Sequence, residues 1–300
     1  MDLKLSEIPI NIKDLSLEVP ERKTELPLGL TERDWNRFKG LLEHSRNEPN
    51  LDLYTSVATN MLLLAPSRKN QLSLGQEHFS IMYRHARETV LTPDPSSWQH
   101  LTLFLAKLKL LYPQNANQMD LNSLWPGMLN ALKTDREQVD WQSSNADNQF
   151  FRFLEVAQAM KILVPEKESE LELTEEVKRR CIRTGVKTLD EGEIYKFALL
   201  SFSSRILFPT ESRIEPRREQ FRVQEGSSAW SKMMVELAKL RRENLPPEAD
   251  FGMFATLAAK MHALSAKELR ITPNGLEIIT GDSPKIPDMT KPSLPTLRKF

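Results

Sequence analysis

The sequence predicts an all-α protein, built as an array of antiparallel helical hairpins that stack into a solenoid. Three observations predict this class. One pattern recurs in LAPSRKNQLSL (64–74), LYPQNANQMDL (111–121) and LVPEKESELEL (163–173): Leu, one residue, Pro, five mostly polar residues, an apolar residue, one residue, Leu. Apolar residues recur at helical spacing before each proline. The prolines also recur at similar intervals, which gives units of about 44–56 residues, the length range of two-helix repeats. The alternative is a single irregular all-α globule, in which the same prolines end unrelated helices.

The first helix of each unit is predicted from the residues before its proline. Apolar side chains stand twelve, nine, eight, five and two residues before it, and these offsets trace one face of an α-helix. The proline then ends the helix, because it lacks an amide donor and disfavours the α conformation of its predecessor. The prolines in question are Pro66, Pro113, Pro165 and Pro209, and Leu264 takes their place in a degenerate fifth unit. In that unit the stripe falls on Ala255, Thr256, Ala259 and His262.

A short extended connection and a second helix are predicted after each proline. The alternation of Leu72 with Leu74, and its equivalents in the next two units, is typical of an extended segment. Asn122, Thr174 and Ser228 are candidate N-caps for second helices. Thr31 with Asp34 resembles a capping box, so the second helix of a truncated first unit is expected to begin there.

The predicted organisation has three parts. Residues 1–27 form an extended N-terminal arm, residues 28–280 form the helical-repeat domain with an insertion at 210–227, and residues 281–300 form a proline-rich tail. The segment 269–280 is either a β-hairpin around Pro-Asn-Gly or a final short helix capped by Thr272; we favour the helix, because it repeats the order seen at Leu173 and Thr174. In unit length and two-helix design the plan resembles HEAT-type repeats, but it carries no family motif.

Composition argues against several classes of function. Lys plus Arg and Asp plus Glu balance at 41 each, so the whole chain has no net attraction for nucleic acid or anionic membrane. No stretch is apolar enough to span a bilayer, and we expect no membrane partner. Cys181 is the one cysteine, which excludes an internal disulfide and is compatible with a reducing compartment. We therefore expect a cytoplasmic protein.

The sequence carries no recognisable catalytic pattern. Ten glycines spread along the chain build no phosphate-binding loop. The five histidines do not form a metal-binding pattern, and no serine lies in a nucleophile elbow. The expectation is a non-enzymatic protein without cofactor or metal.

The strongest candidate site is a row of cations four residues before the unit ends. It consists of Lys109, Lys161, Arg205 and Lys260. In a solenoid, equivalent positions stack, so these side chains would form a basic row on the surface. The competing interpretation is structural, since cations near helix C-termini are favoured by the helix dipole. Lys178, Arg179 and Arg180 in KRRCIR could extend the basic patch.

The C-terminal tail is a second candidate binding element. Its four prolines favour an extended chain, which loses little entropy on capture by a groove. Its apolar anchors would be Ile286, Met289, Leu294, Leu297 and Phe300.

The function predicted from these features is a scaffold or adaptor that binds a protein or peptide partner. The alternative is a helical-repeat protein that binds RNA or DNA without regard to sequence, through the row of Lys and Arg. The two differ in salt dependence, because phosphate contacts weaken steeply with ionic strength whereas apolar recognition barely responds.

Overall fold

The structure, a computed structural model, describes residues 26–279 except 48–49, 73, 89–93, 144, 146, 210–226, 243–248, 267 and 273–274. The described residues form ten α-helices and one two-stranded sheet, so the all-α class is confirmed. The helices are α1 Glu32–Asn47, α2 Leu51–Leu64, α3 Gln76–Glu88, α4 Pro95–Leu111, α5 Leu121–Gln138, α6 Asn148–Leu163, α7 Glu175–Asp190, α8 Ile194–Leu207, α9 Ser228–Arg242 and α10 Ala249–Ser265. The strands are β1 Glu268–Thr272 and β2 Gly275–Ile279.

The four prolines stand where the sequence predicts them, two residues after the ends of α2, α4, α6 and α8. The residue between helix and proline has nearly the same backbone conformation each time. Its φ/ψ values are −145/78° at Ala65, −129/61° at Tyr112, −138/74° at Val164 and −127/62° at Phe208. Each of these residues leaves the α region because of the proline that follows, and its amide still donates to a carbonyl of the last turn.

The connections after the prolines differ from the prediction. They are 3₁₀ turns, Pro66–Leu72, Pro113–Gln118 and Pro165–Leu171, and not extended segments. Proline suits the first position of such a turn, where its missing amide costs nothing. The first apolar residue of each predicted pair, Leu72, Met119 or Leu171, is nevertheless buried. The alternation therefore correctly indicated a residue packed in the core, but it did not indicate an extended segment.

Five helices form a closed series of contacts, and we call them the ring helices. Helix α2 packs against α4, α4 against α6, α6 against α8, α8 against α10, and α10 against α2. The other helices pack on one or two ring helices each: α1 on α2, α3 on α4, α5 on α4 and α6, α7 on α8, and α9 on α8 and α10. The predicted solenoid, an open array, is not confirmed, because its last ring helix contacts its first.

Side chains from the two ends of the described chain meet where the ring closes. The rings of Phe38 and Phe254 stack with their centroids 5.6 Å apart. Asp34, which forms the predicted capping box with Thr31, also accepts from Arg241 Nη2 at 2.7 Å. Asn60 Nδ2 donates to Thr256 Oγ1 across 3.0 Å. The closure therefore combines aromatic packing, an ion pair and a polar contact between ring helices.

The predicted apolar stripe is buried in the first four units, and Leu105, Ala157, Met160 and Leu163 all lie in the core. The fifth unit was assigned two residues too early. There the buried equivalents are Phe254, Leu257, Ala258, Met261 and Leu264, so Ala266 takes the place of the proline. Without a proline, α10 offered no local mark for its end, and the sequence spacing alone misplaced it.

Segment 268–279 is a β-hairpin, so the favoured final helix is wrong. Strands β1 and β2 pair antiparallel, with Leu269 opposite Ile278 and Thr272 opposite Gly275. Gly275 has φ +117°, a conformation that glycine adopts without strain. The hairpin packs on α4, α6 and α8 near their C-termini, and a Cβ added to Gly275 would lie 3.0 Å from Leu110.

Three predicted segments fall outside the described residues: nearly all of the N-terminal arm, the insertion except Ser227, and the proline-rich tail. The described chain begins at Leu26, followed by a 3₁₀ turn, Pro27–Gly29. The predicted domain boundaries stay a prediction.

Candidate functional sites: a surface depression and the centre of the ring

The predicted row of cations is internal. Lys109 and Lys161 are each 3% exposed. Lys109 Nζ donates to the carbonyls of Ile162 and Leu163 at 2.9 and 2.8 Å, and Lys161 Nζ donates to the carbonyl of Leu207 at 3.0 Å. Each lysine therefore reaches the C-terminal end of the next ring helix.

Arg205 on α8 continues this arrangement. Its guanidinium donates to three carbonyls at the end of α10, those of Ala263, Leu264 and Ala266, at 2.5–3.2 Å. The last carbonyls of a helix have no partner within it, and the helix dipole favours a cation there. Lys109, Lys161 and Arg205 thus satisfy carbonyls between neighbouring helices and do not form an exposed basic surface.

Lys260 does not belong to this row. Because the fifth unit is shifted by two residues, its equivalent position is His262, which is buried. Lys260 is half-buried, and its Nζ lies 3.7 Å from the centroid of the Phe202 ring. Residues 260 and 262 lie on opposite sides of α10, so Lys260 faces the centre of the ring and His262 faces the row.

Only one residue of the predicted Lys178–Arg180 patch is exposed. Lys178 is buried and pairs with Glu175 at 3.2 Å. Arg180 is 0% exposed and pairs with Asp147 at 2.5 Å, the carboxylate that caps the N-terminus of α6. Arg179 projects into solvent. The pattern KRR therefore supplies two structural cations and one surface cation.

Arg179 lines a surface depression of about 440 Å³ at the N-terminus of α7. The other lining residues are Arg136, Gln142, Thr174, Glu175, Glu176 and Arg183. Arg136 pairs with Glu172, and Arg183 donates to the carbonyl of Trp141, which holds both guanidinium groups in place. Thr174 is the N-cap of α7, as predicted, but its side chain makes no capping hydrogen bond. The depression thus offers polar groups of both charges.

The tail residues of the second predicted site, Ile286, Met289, Leu294, Leu297 and Phe300, lie outside the described residues. The tail as a binding element therefore stays a prediction.

A stripe of mixed polar and apolar residues on the ring helices lines the centre of the ring; we call it the inward stripe. It comprises the residues thirteen, ten and six positions before the four prolines, or before Ala266 for α10. Its members are Leu53, Ser56, Asn60, His100, Leu103, Lys107, Arg152, Glu155, Ala159, Lys196, Leu199, Ser203, Met253, Thr256 and Lys260. The stripe keeps partial access to water at most positions, whereas the apolar stripe beside it is buried.

One hydrogen bond and two electrostatic interactions between helices indicate that this stripe faces the centre of the ring. Lys107 Nζ on α4 donates to Ser56 Oγ on α2 at 2.8 Å. Glu155 on α6 interacts electrostatically with Lys260 on α10, although these two helices are not neighbours in the ring. Lys107 and Lys260 also act on each other across the ring. Their charges therefore face one common space.

The centre of the ring changes the acid–base properties of these groups. Desolvation raises the pKa of Glu155, and the charges of Lys260, Lys107 and Arg152 oppose that rise. Desolvation and, to a smaller extent, repulsion from Lys107 lower the pKa of Lys260, and the attraction of Glu155 opposes them; the net result is a pKa of about 8. Desolvation also lowers the pKa of Lys107. Perturbed groups of this kind gathered in one place are typical of binding or catalytic sites.

Lys107 and Glu155 were not among the candidate residues predicted from the sequence. The sequence does contain a signal for this stripe: polar residues interrupt otherwise apolar helices ten and six positions before the unit end. Ser56, Glu155 and Thr256 are examples at the position ten residues before it. It was overlooked because a charged residue on an amphipathic helix is usually assigned to the outer surface.

Within the described ranges, no group of three or more His, Cys, Asp or Glu residues is arranged to hold a metal ion. Every helix in that part of the chain is too short or too polar to cross a membrane. In the comparisons with known proteins, no family model, curated protein or solved structure gives a significant match to this chain.

Proposed function

We propose that the chain is a non-enzymatic scaffold or adaptor of the cytoplasm that binds a protein or peptide partner. The observation that carries the proposal is the depression around Arg179, where arginine and glutamate side chains line one polar surface. A peptide has both amide donors and carbonyl acceptors, so it is matched by a surface that offers both charges. The partner would dock there through a polar segment.

The helical-repeat plan is part of this proposal. It is supported by the similar backbone conformation at Ala65, Tyr112, Val164 and Phe208. It is also supported by the cations that bind carbonyls of the next ring helix in three successive units. Stacked repeats commonly present extended surfaces to partners.

The nucleic-acid alternative has less support. Lys109, Lys161 and Arg205 are engaged with main-chain carbonyls, and binding of a phosphate chain would have to displace them. Glu175 and Glu176 in the depression would repel phosphates.

The proline-rich tail is proposed as an additional docking arm. Truncation after Thr280 is expected to leave the melting temperature within about two degrees and to weaken capture of the partner severalfold, because a docking arm acts on the partner and has no part in the core. Unfolding of the last helices on truncation would instead assign the tail to the fold.

The experiment that tests the proposal is affinity capture from native cell extract by the full chain, at low and moderate salt, with and without nuclease. A partner identified this way is then purified and its affinity measured against wild type, Arg179→Glu and Lys133→Glu. Lys133 is exposed on α5 outside the depression, so its variant is the matched charge reversal. We expect tenfold or more weakening for Arg179→Glu alone. Capture that nuclease abolishes, or equal effects of both variants, would contradict the proposal.

A further inference from the structure

The centre of the ring is more accessible from one end than from the other. At the level six residues before the unit end, Asn60, Ala159 and Ser203 are buried. At the level thirteen residues before it, Arg152 and Met253 are exposed. Exposure therefore increases toward the N-terminal ends of the ring helices.

The β-hairpin lies at the less accessible end. It packs on α4, α6 and α8, and Gly275 lies against Leu110 close to the C-terminus of α4. The opposite end has a polar rim, where His100 Nε2 lies 3.4 Å from Asp52 Oδ1 and Lys196 pairs with Glu193 at 2.7 Å. Because most inward side chains between these ends keep partial access to water, the centre is a recess that opens at the polar rim.

The charges inside this recess do not balance. At its two inner levels the charged members of the inward stripe are Lys107, Lys260 and Glu155. At the rim, Asp52 acts on Lys107 and Arg152 acts on Glu155, which adds one charge of each sign. The positive charges therefore exceed the negative charges by one. Charges that are partly withdrawn from water are costly unless they are paired. One additional negative charge would balance the recess.

Lys260 is the group with unused hydrogen-bonding capacity. Its ammonium lies over the face of Phe202 at 3.7 Å, and among the described residues no oxygen accepts a hydrogen bond from it. Lys107 gives one hydrogen bond to Ser56, which leaves two of its three donors. Both lysines therefore have donors available for an anion.

The recess also has apolar walls. Leu103 on α4 and Leu199 on α8 are half-buried at the same level as Glu155, and Phe202 faces Lys260. A ligand that pairs with the lysines would place its remaining atoms against these side chains. Small-molecule sites commonly combine such apolar walls with a few polar groups that fix orientation.

We propose that the centre of the ring binds a small monovalent carboxylate with a short apolar chain, held by Lys107 and Lys260. This site is separate from the depression around Arg179 and does not depend on the proposed adaptor function. The carboxylate oxygens accept hydrogen bonds from the two ammonium groups, and the apolar chain packs on Leu103 and Leu199.

Binding is expected to be pH-dependent. The charged groups that face Lys260 are Glu155 on α6 and Lys107 on α4; Tyr195 on α8 adjoins Glu155, and Asp52 on α2 acts on Lys107. Because the pKa of Lys260 is about 8, its ammonium is lost as the pH rises through that value, and affinity for an anion should fall with it. A bound carboxylate should in turn raise the pKa of Lys260.

The test uses butanoate as probe and butanamide, its uncharged counterpart, as control ligand. Affinity is measured by calorimetric titration at pH 7 with wild type, Lys260→Met, Lys107→Met and Lys133→Met. Methionine keeps an unbranched side chain of similar length and removes the charge. We expect butanoate to bind the wild type and butanamide not to bind it. The affinity for butanoate should be at least tenfold weaker in Lys260→Met and Lys107→Met, and within twofold of wild type in Lys133→Met. Equal binding of butanamide, or no effect of either central variant, overturns the proposal.

A measurement on the wild-type chain covers the case in which a central variant fails to fold. The pKa of Lys260 is followed by NMR of isotopically labelled lysine with and without butanoate. A rise of half a unit or more is expected at saturation, and an unchanged pKa overturns the proposal. Neither result bears on partner capture, which is read from Arg179→Glu.

Discussion

Individual cations show what a residue pattern reveals and what it hides. The positions of Lys109, Lys161 and Arg205 were found from the sequence because they stand at one offset from the proline. Their role was not, because the acceptors are carbonyls about 50 residues away, such as Leu163 for Lys109 and Leu207 for Lys161. Only the packing of one helix beside the next brings these atoms together.

Replacement of Lys161 should measure the value of such a contact. Lys161→Met removes the donor to the carbonyl of Leu207 and the ion pair with the exposed Glu168. We expect the free energy of unfolding to fall by about 1–3 kcal/mol, mainly through the unsatisfied carbonyl, because exposed ion pairs contribute little. Denaturant unfolding measures it. Lys133→Met, at an exposed position, should change stability by less than about 0.5 kcal/mol. Similar small effects in both variants would mean that water replaces the lysine.

His262 should make the fold sensitive to acid. Burial lowers its pKa to about 4 from a usual 6.5, so between these values the unfolded chain binds a proton that the folded chain does not. The contribution of neutral His262 to the free energy of unfolding is therefore fully present above pH 6.5. It is lost as the pH falls toward 4, and the loss is up to about 3 kcal/mol.

The check on His262 compares wild type with His262→Gln in denaturant unfolding at pH 7 and pH 4. The wild type should lose more stability than the variant, and the difference isolates His262 from Asp135, whose pKa burial raises to about 6 in both proteins. Identical pH dependence of the two proteins would show that His262 is hydrated in the fold.

At the scale of single elements, helix ends were predictable and the final element was not. Pro66, Pro113, Pro165 and Pro209 act on their immediate neighbours, so a local rule sufficed. Whether 268–279 becomes a helix or a hairpin depends on its packing against α4, α6 and α8. Local sequence left both structures open, because Thr272 suited a helix cap and Pro-Asn-Gly suited a turn.

The apolar stripe on the ring helices should contribute much of the stability of each helix. Leu163 on α6 is 2% exposed, and Leu163→Ala should lower the free energy of unfolding by about 2–5 kcal/mol through the cavity it leaves. Val235→Ala is the control, since Val235 is 49% exposed, and it should cost less than about 0.5 kcal/mol. Denaturant unfolding of both variants decides; equal losses would place the stripe at the surface.

For the whole molecule, closure of the ring was beyond the sequence analysis. An open solenoid and a closed ring use the same helical hairpins and the same apolar stripe, and they differ in the rotation that accumulates from unit to unit. No single residue encodes that rotation. The contacts that reveal it, such as Asn60 with Thr256, join residues 196 positions apart.

A double-mutant cycle on Phe38 and Phe254 tests the closure. Their stacked rings should give a coupling of about 0.5–1.5 kcal/mol between Phe38→Leu and Phe254→Leu in unfolding free energy. In an open array the two residues would lie at opposite ends, and the effects would add. Additive losses would therefore contradict the ring.

The pairing of α10 with α2 also bears on how the chain is completed during synthesis. Proteins are made from the N-terminus at about 5–20 residues per second, so α2 emerges well before the helix that covers it. Until residues 249–265 have left the ribosome, the face of α2 that packs on α10 has no partner within the chain. The nascent protein therefore carries this face of α2 without its final partner helix through most of its translation, and the ring can close only when synthesis is nearly complete.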